Sequence, residues 1–530
     1  MKHFRVLFLP DEEEISIHQG ATLLEATRQA GIILTTPCGG KGTCGKCALR
    51  LHPSGQQILA CQYQVQDDLA VVVPPESRFY EHKILDRGIA AGAQIRPTIY
   101  RRYTAVAGSE AILGVAVDVG TTTVVSKLLD LTTGRCLATQ AMLNPQTRFG
   151  DDVVSRIQYA ESPEHRVELH DTIIGCINTL TGRLCRQAGV SASSIYEASI
   201  VGNTTMNHIL LRFPVEQLGQ APYQAWSVEA HDVPPGRLSL AMNPAGNVHC
   251  AENIAGFVGA DTTAVALAVD LDCLEDRVLV VDIGTNGEIV LGTRERLYAA
   301  SCAAGPALEG ARIRHGSRAA HGAIEAVVSN GDDIAVDVIG GGPPRTICGS
   351  GLIDAVAVLL NLGIVDATGR FADERGGQLP QAIASRILEY EGQPAVCLAW
   401  NERTARPEVI LTQRDIREVQ LAKAAIRAGI RILMTKLGMA DPDIDRILLA
   451  GAFGNYIRPS SAVRIGLLPD VPPDRIQSVG NAAATGAEIL LVSEQGRERA
   501  AGLARKIQYV EIAHEKGFAD VFAEAMRLSP

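Results

Sequence analysis

Two short stretches, each an apolar run closed by an Asp, carry the residues best suited to chemistry. Residues 115–123 read V-A-V-D-V-G-T-T-T and residues 279–288 read L-V-V-D-I-G-T-N-G-E. Asp118 is followed by Gly120, Thr121, Thr122 and Thr123, and Asp282 by Gly284, Thr285, Asn286, Gly287 and Glu288. A tight hairpin of this kind lets backbone N–H groups approach an anion while the carboxylate reaches the water shell of a metal ion. One such stretch is an ordinary turn sequence. Two of them, far apart in one chain, point to a duplicated, two-lobed nucleotide site with a Mg-phosphate between the lobes.

A second reactive group lies near the N-terminus. Cys38, Cys44, Cys47 and Cys61 follow the spacing Cys-x5-Cys-x2-Cys-x13-Cys, on a loop dense in Gly39, Gly40, Gly42 and Gly45. Four thiolates can hold a tetrahedral zinc or the two irons of a [2Fe–2S] cluster. Three features favour iron. The glycines expose N–H groups that can donate to cluster sulfides, and the paired Cys-x2-Cys knuckles usual for zinc are absent. The surrounding residues also read as strand (4–9), strand (14–18), helix (22–30) and further strands (47–52, 58–65, 69–73), an order that resembles β-grasp ferredoxins. The other Cys residues are dispersed and expected to be plain thiols.

The elements that must position these groups divide the chain. At 530 residues it exceeds a single core, and 46% apolar with 20% charged residues marks a globular protein. A net charge of −10 without any long basic run argues against nucleic acid and anionic membrane. The N-terminal apolar stretch is short for a signal peptide and no window of about 20 apolar residues exists, so a cytoplasmic protein is expected. Residues 1–75 form the Cys-bearing unit, 76–110 a linker that includes Arg101 and Arg102, 111–276 a first lobe and 277–530 a second.

Helix-start signals place the polar residues of the first lobe. Asp151 or Asp152 should cap a helix over 153–159, Asn203 or Thr204 the next, and Asp261 a third. His208 reads as a satisfied core histidine, and the proline-bearing residues 212–250 as an excursion. In the second lobe Gly349, Ser350 and Gly351 open a helix, a backbone anion or ribose site by geometry. The turn Gly451, Ala452, Phe453 and Gly454 suits an adenine face. Residues 479–487 start a small-residue helix able to pack tightly at a hinge, and the small residues 300–310 form a surface that something large can approach.

The hairpin pair, the Gly349 helix start and the Gly451 turn together resemble the actin, sugar kinase and heat-shock chaperone superfamily. With the four-Cys unit in front, essentially the whole chain resembles the reductive activators of corrinoid-dependent enzymes. The marks are C-G-G-K-G-T-C-G-K-C, D-V-G-T-T-T, N-P-Q-T-R-F-G-D-D-V, I-V-G-N-T-T-M, D-I-G-T-N-G-E, A-A-G-P-A-L-E-G, C-G-S-G-L-I-D and L-A-G-A-F-G-N-Y. The resemblance implies an α/β multidomain chain: a β-grasp [2Fe–2S] ferredoxin domain, a linker, and a duplicated actin-like (ribonuclease H-like) two-lobed ATPase.

It also implies an activity: ATP-dependent transfer of one electron from the cluster to the Co(II) of a corrinoid protein, giving Co(I) for methyl transfer. On this basis Cys38, Cys44, Cys47 and Cys61 are cluster ligands. Asp118 with Thr121, Thr122 and Thr123, and Asp282 with Thr285 and Glu288, flank the ATP phosphates and Mg²⁺, while the Gly349 and Gly451 turns hold the nucleoside. Ser301 or Cys302 is expected to meet the corrinoid. The partners are a methyltransferase-associated corrinoid protein and a low-potential electron donor; the oligomeric state is left open, a homodimer included. A middle domain and a C-terminal Cys-rich segment, carried by some members, are not expected, because the linker leads almost directly into the first lobe and no Cys follows Cys397. Rival readings are an activator of a radical dehydratase and an ATP-switched, redox-sensing chaperone or scaffold.

Overall fold

The computed structural model describes residues 2–529 except 11, 31, 33, 35–41, 43–46, 75–76, 78–94, 99–111, 151, 285, 373–378, 402–405 and 455. Cys38, Cys44, Asp151, Thr285 and the Arg101–Arg102 pair therefore lie outside the described residues, as do the side chains of Ala452 and Phe453.

In the N-terminal unit β1 (His3–Leu9), β2 (Glu13–His18), β3 (Ala48–His52), β4 (Gln57–Leu59) and β5 (Leu69–Val72) form one sheet in the order β2-β1-β5-β3-β4. Alternation along β1 sends Phe4, Val6 and Phe8 into the core, where Leu23, Leu24 and Ala26 of the helix Leu23–Gln29 cover them. Thr22 and Glu25 start that helix reciprocally: the Glu25 carboxylate accepts from Thr22 N at 2.8 Å, and Thr22 Oγ1 accepts from Glu25 N at 3.2 Å. The strand expected over 58–65 stops at Leu59. Beyond it the helix start takes the carbonyls, with Leu24 N donating to Ala60 O and Leu23 N to Tyr63 O, both at 2.9 Å, so Cys61 falls in a turn.

The first lobe is built on β6 (Leu113–Val119), β7 (Thr123–Asp130), β8 (Cys136–Leu143), β9 (Ile195–Gly202), β10 (His231–Val233) and β11 (Asn247–Cys250), ordered β10-β11-β9-β6-β7-β8. In the second lobe come β12 (Val278–Ile283), β13 (Gly287–Thr293) and β14 (Arg296–Cys302). Two inserted sheets follow, β15 (Ala323–Ser329) with β16 (Ile334–Val338) and β17 (Thr346–Ile347), and β18 (Ile387–Tyr390) with β19 (Gln393–Trp400) and β20 (Pro407–Thr412). Finally β21 (Arg446–Ala450), β22 (Ile476–Gly480) and β23 (Ile507–Tyr509) complete a main sheet ordered β22-β21-β12-β13-β14-β23.

The two main sheets trace the same path. Each starts as an antiparallel meander (β6-β7-β8, β12-β13-β14), then adds a parallel strand beside its first (β9, β21) and another beyond that (β11, β22). Duplication is thus visible in topology. Residues 212–250, expected to leave the lobe, instead return β10 and β11 to its sheet; strands this short among prolines carry little periodicity.

Period-two alternation also divides the core. Leu113, Val115, Val117 and Val119 face an outer core with the helix Pro163–Ala188, while Ala116 faces the other lobe. In β12, Leu279, Val281 and Ile283 face outward and Val278 and Val280 inward. Between the sheets the helices Ala260–Ala268 and Ala482–Val492 lie against each other. A Cβ at Gly486 would strike the backbone of Ala264, so this approach depends on the small residues expected at a hinge. Polar ties join the same faces: Lys127 to Glu488 at 2.6 Å and Arg497 to buried Glu197 at 2.7 Å. The linker touches down here too, with Arg96 N donating to Val492 O and Glu494 N to Arg96 O, each at 3.1 Å.

Two of the three expected caps and the core histidine form as expected. Asp152 caps the helix Val153–Tyr159 by accepting from Ser155 N at 2.7 Å, and Asn203 caps Thr204–Leu211. His208 is a satisfied core histidine: Nδ1 bonds Thr204 O at 2.7 Å, Nε2 accepts from Trp226 N at 3.0 Å, and burial pulls its pKa down to about 4. Among the described residues no helix is long and apolar enough to cross a membrane.

Candidate functional site

The β6–β7 turn places Asp118 at the mouth of the interlobe cleft. Gly120 N donates to Thr123 O at 3.0 Å, closing the turn. Its carbonyls are held from behind: Asn144 Nδ2 donates to Gly120 O at 2.9 Å, Asn144 N to Thr122 O at 2.8 Å, and the buried Arg156 guanidinium to Thr121 O. Asn203 Nδ2 donates to Thr121 Oγ1 at 3.0 Å. With three successive carbonyls turned back into the protein, an anion nearing this turn does not meet their negative ends.

The β12–β13 turn repeats the arrangement. Gly284 N donates to Asn286 O at 3.0 Å, and Asp282 pairs across the hairpin with Glu288. Parallel pairing sets Asp282 beside Ala450, so the next residue, Gly451, with φ +83°, abuts the Asp282 carboxylate. Any Cβ there would collide with it.

Four carboxyl groups influence one another across the cleft: Asp118, Asp261, Asp282 and Glu288. Burial, then Asp261, pushes Asp118 up to about 7, against the hydrogen bond from Asn481 Nδ2 at 3.2 Å. Burial and Asp261 raise Asp282 to about 7. Burial raises Asp261 to about 6, against Thr262. Glu288 is driven well above its ordinary value by burial, Asp261 and Asp282, opposed by the Ser301 hydroxyl. Unneutralised hard oxygens of this kind fit a divalent cation such as Mg²⁺. Among the described residues no three such side chains group closely enough to bind a metal directly, so an ion here would be reached through its water shell.

Sequence reasoning assigned Asp261 a capping role, and this is corrected. Gly259 holds the cap position and Asp261 stands one residue inside the helix, turned toward the other three acids. Asn144, Arg156 and Asn481 were not assigned to the site either, and Asn203 was expected only as a helix cap. The signal available for three of them was an Asn just before a helix start, in N-P-Q, G-N-T-T and G-N-A-A.

The remaining expected residues divide. Gly349, Ser350 and Gly351 are buried, Ser350 Oγ donates to Glu325 O at 2.8 Å, and Gly351 packs on Ile324 O; no described contact brings them to the carboxylates. Gly451 and Gly454 bound a helical turn at Asp282. Ser301 belongs to the carboxylate group through Glu288. Cys302 is 0% exposed and packed against Gly429, so its thiol meets no partner surface.

In the N-terminal unit the β3–β4 hairpin brings Cys47 and Cys61 together. Ala48 pairs with Leu59, Ala60 N donates to Cys47 O at 2.9 Å, and the two Sγ atoms lie 3.3 Å apart in the core. That is well beyond a disulfide bond of about 2.05 Å and close enough for both sulfurs to share one iron. Gln62 Nε2 stands 3.6 Å from Cys61 Sγ as a donor. The donor set fits an iron–sulfur cluster.

Known families match the chain over three stretches. Residues 7–66 match the 2Fe-2S iron-sulfur cluster binding domain, 113–274 the RACo middle region, and 276–530 the C-terminal ASKHA domain of RACo. The expectation that no middle module is present is therefore corrected: the first lobe is that region. The chain is 32% identical to the corrinoid activation enzyme RamQ of Eubacterium limosum over 98% of both chains. It is 25% identical to a reductase of the Co(II) methylated amine-specific corrinoid protein of Methanosarcina barkeri, over 74% of this chain and 72% of that one. Among solved structures, a reductive activator for a corrinoid, iron-sulfur protein superposes with a TM-score of 0.73 at 32% identity, covering 99% of this chain and 98% of that one.

Proposed function

Because this chain belongs to the family of reductive activators of corrinoid proteins, we propose that it returns one electron to a corrinoid protein whose cobalt has slipped to Co(II), restoring Co(I) at the expense of ATP. The observation that carries this reading is the union, in one chain, of a buried Cys47–Cys61 thiol pair and two carboxylate-bearing hairpins facing one cleft. Cys38, Cys44, Cys47 and Cys61 would hold the [2Fe–2S] cluster, which when bound supplies the electron. A low-potential donor refills it.

Plant-type clusters sit near about −400 mV, and each ~59 mV of one-electron deficit costs tenfold in equilibrium. Closure of two lobes on ATP can offset that deficit only if it changes how the corrinoid partner is bound. The chain's own part is then positioning. Asp118 and Asp282 hold the water shell of Mg²⁺, and a carboxyl poised near neutrality can take a proton from the attacking water. Gly120, Thr121, Thr122, Thr123, Gly284, Asn286 and Gly287 would approach the phosphates, as would Thr285, which lies outside the described residues. The Gly349–Ser350–Gly351 start and the turn Gly451, Ala452, Phe453 and Gly454 lie on the nucleoside side.

Ser301 remains the proposed corrinoid contact, and that role requires its bond to Glu288 to break. Ser301→Ala separates the alternatives: weaker binding of the Co(II) partner supports the contact, whereas a change confined to nucleotide affinity assigns Ser301 to Glu288 alone. The activity itself is tested by the visible spectrum of a corrinoid protein. Co(II) absorption should be lost with reductant and Mg-ATP, and persist without ATP or with Cys61→Ser. Persistence across a panel of corrinoid partners would overturn the reading.

A further inference from the structure

The N-terminal unit meets the second lobe away from the cleft carboxylates. His3, at the start of β1, pairs with Asp337 of β16, whose side chain is only 2% exposed. Beside this pair, His18 and Glu25 of the N-terminal unit face Glu325, Asp354 and Arg458 of the second lobe across a shared pocket. The lining mixes charged groups with Ile17, Ala326 and Ile457. Arg458 lies 3.4 Å from Asp354, while Glu25 opposes Asp354 with like charge and Glu325 is crowded by Asp337, a strain that His3 relieves. A contact this polar and partly repulsive has the character of a reversible interface.

The docking face also backs onto the cleft. Ser350, in the first turn of the helix Gly349–Asn361, lines the same pocket. So does Arg458, only four positions beyond the turn whose first residue, Gly451, abuts Asp282. One short segment thus touches the cleft carboxylate at one end and the N-terminal unit at the other. Docking adds the Glu25 carboxylate to the Glu325 and Asp354 already at the pocket end, a negative charge that disfavours a nucleotide nearby.

We propose that this face is a dock for the chain's own ferredoxin domain, and that docking and nucleotide binding oppose each other, so that nucleotide in the cleft releases the domain. The inference rests on the proposed function for the identity of the nucleotide site. The tether permits release: nineteen positions separate Ser77, still bonded to Ala48 O at 2.6 Å, from Arg96 at the hinge, a span of up to about 60 Å when extended. Linkage is reciprocal, so a chain that cannot dock should bind nucleotide more tightly.

The test uses the full, cluster-loaded chain and a non-hydrolysable ATP analogue, with His3→Glu as the undocking variant and Asp337→Asn as a second that leaves the ferredoxin surface intact. Amide exchange should speed up over residues 13–18 and 334–338 when wild type binds the analogue. Both variants should show that faster exchange without nucleotide, and should bind the analogue at least about fivefold more tightly. Equal or weaker binding by the variants, or exchange at these segments indifferent to the analogue, overturns the proposal. Wild type that binds no nucleotide at all would instead remove the functional reading beneath it.

Discussion

The influences on Asp118, Asp282 and Glu288 are chiefly burial and the Asp261 carboxylate, and at the scale of single residues this has a measurable cost. A carboxyl whose folded-state pKa exceeds its unfolded value stabilises the fold at low pH, and that contribution is lost as pH climbs through the folded value. With Asp261 near 6 and Asp118 and Asp282 near 7, the nucleotide- and cation-free protein should melt at progressively lower temperature between about pH 4 and about pH 7. Asp118→Asn should therefore be more stable than wild type at about pH 8, by about 1–3 kcal/mol once the cleft's water is allowed for, and not below about pH 4. Thermal melts of both proteins across that range decide it; a pH-independent difference would mean that folding does not raise the Asp118 pKa. Arg156 works in the opposite sense. Its removal as Arg156→Met leaves Thr121 O and Gly150 O without donors, at a cost of about 2–4 kcal/mol in a denaturant titration, with weaker nucleotide binding because the turn loses its brace.

At the scale of elements, two glycines mark where backbones must touch. Gly486→Val drives a branched side chain into Ala264 and should wedge the Ala260–Ala268 and Ala482–Val492 helices apart. The expected protein is folded but unable to close, visible as a radius of gyration that no longer shrinks with nucleotide in X-ray scattering. Gly451→Ala acts locally, at positive φ and against Asp282. Nucleotide affinity should fall at least about tenfold, a loss of about 1.4 kcal/mol, while the far-ultraviolet spectrum holds. Retained affinity would detach the Gly451 turn from the nucleotide site.

Across the whole molecule, polar contacts tie the two lobes at several points, Arg499 with Asp270 and Asp272 among them. Asn481 belongs to the second lobe's chain, caps the helix Ala482–Val492 and reaches Asp118 of the first. Asn481→Ala should lower nucleotide affinity about fivefold, in keeping with one lost hydrogen bond of about 1 kcal/mol, and should uncouple ATP from Co(II) reduction more than it slows ATP hydrolysis. Unaltered coupling would place the signal in the Lys127–Glu488 and Arg497–Glu197 ties instead.

How far the amino-acid order alone reaches follows from the range of the forces involved. The Asp-Gly hairpins, the Asp152 and Asn203 caps and the small-residue hinge were legible because turn geometry, capping and period-two burial are settled within a few neighbouring residues. The β4 end, the return of residues 212–250 as β10 and β11, and Asp261 as the fourth acid of the cleft were not. Each depends on a partner distant in the chain: the helix that takes the Ala60 carbonyl, the β9 edge that accepts β11, the opposite lobe that faces Asp261. Chain order therefore determined which residues could do chemistry. Tertiary packing decided which of them meet, why Ser301 sits with Glu288 while Cys302 is sealed away, and where the ferredoxin rests, because only closing two lobes in space brings separated charges within reach of one another.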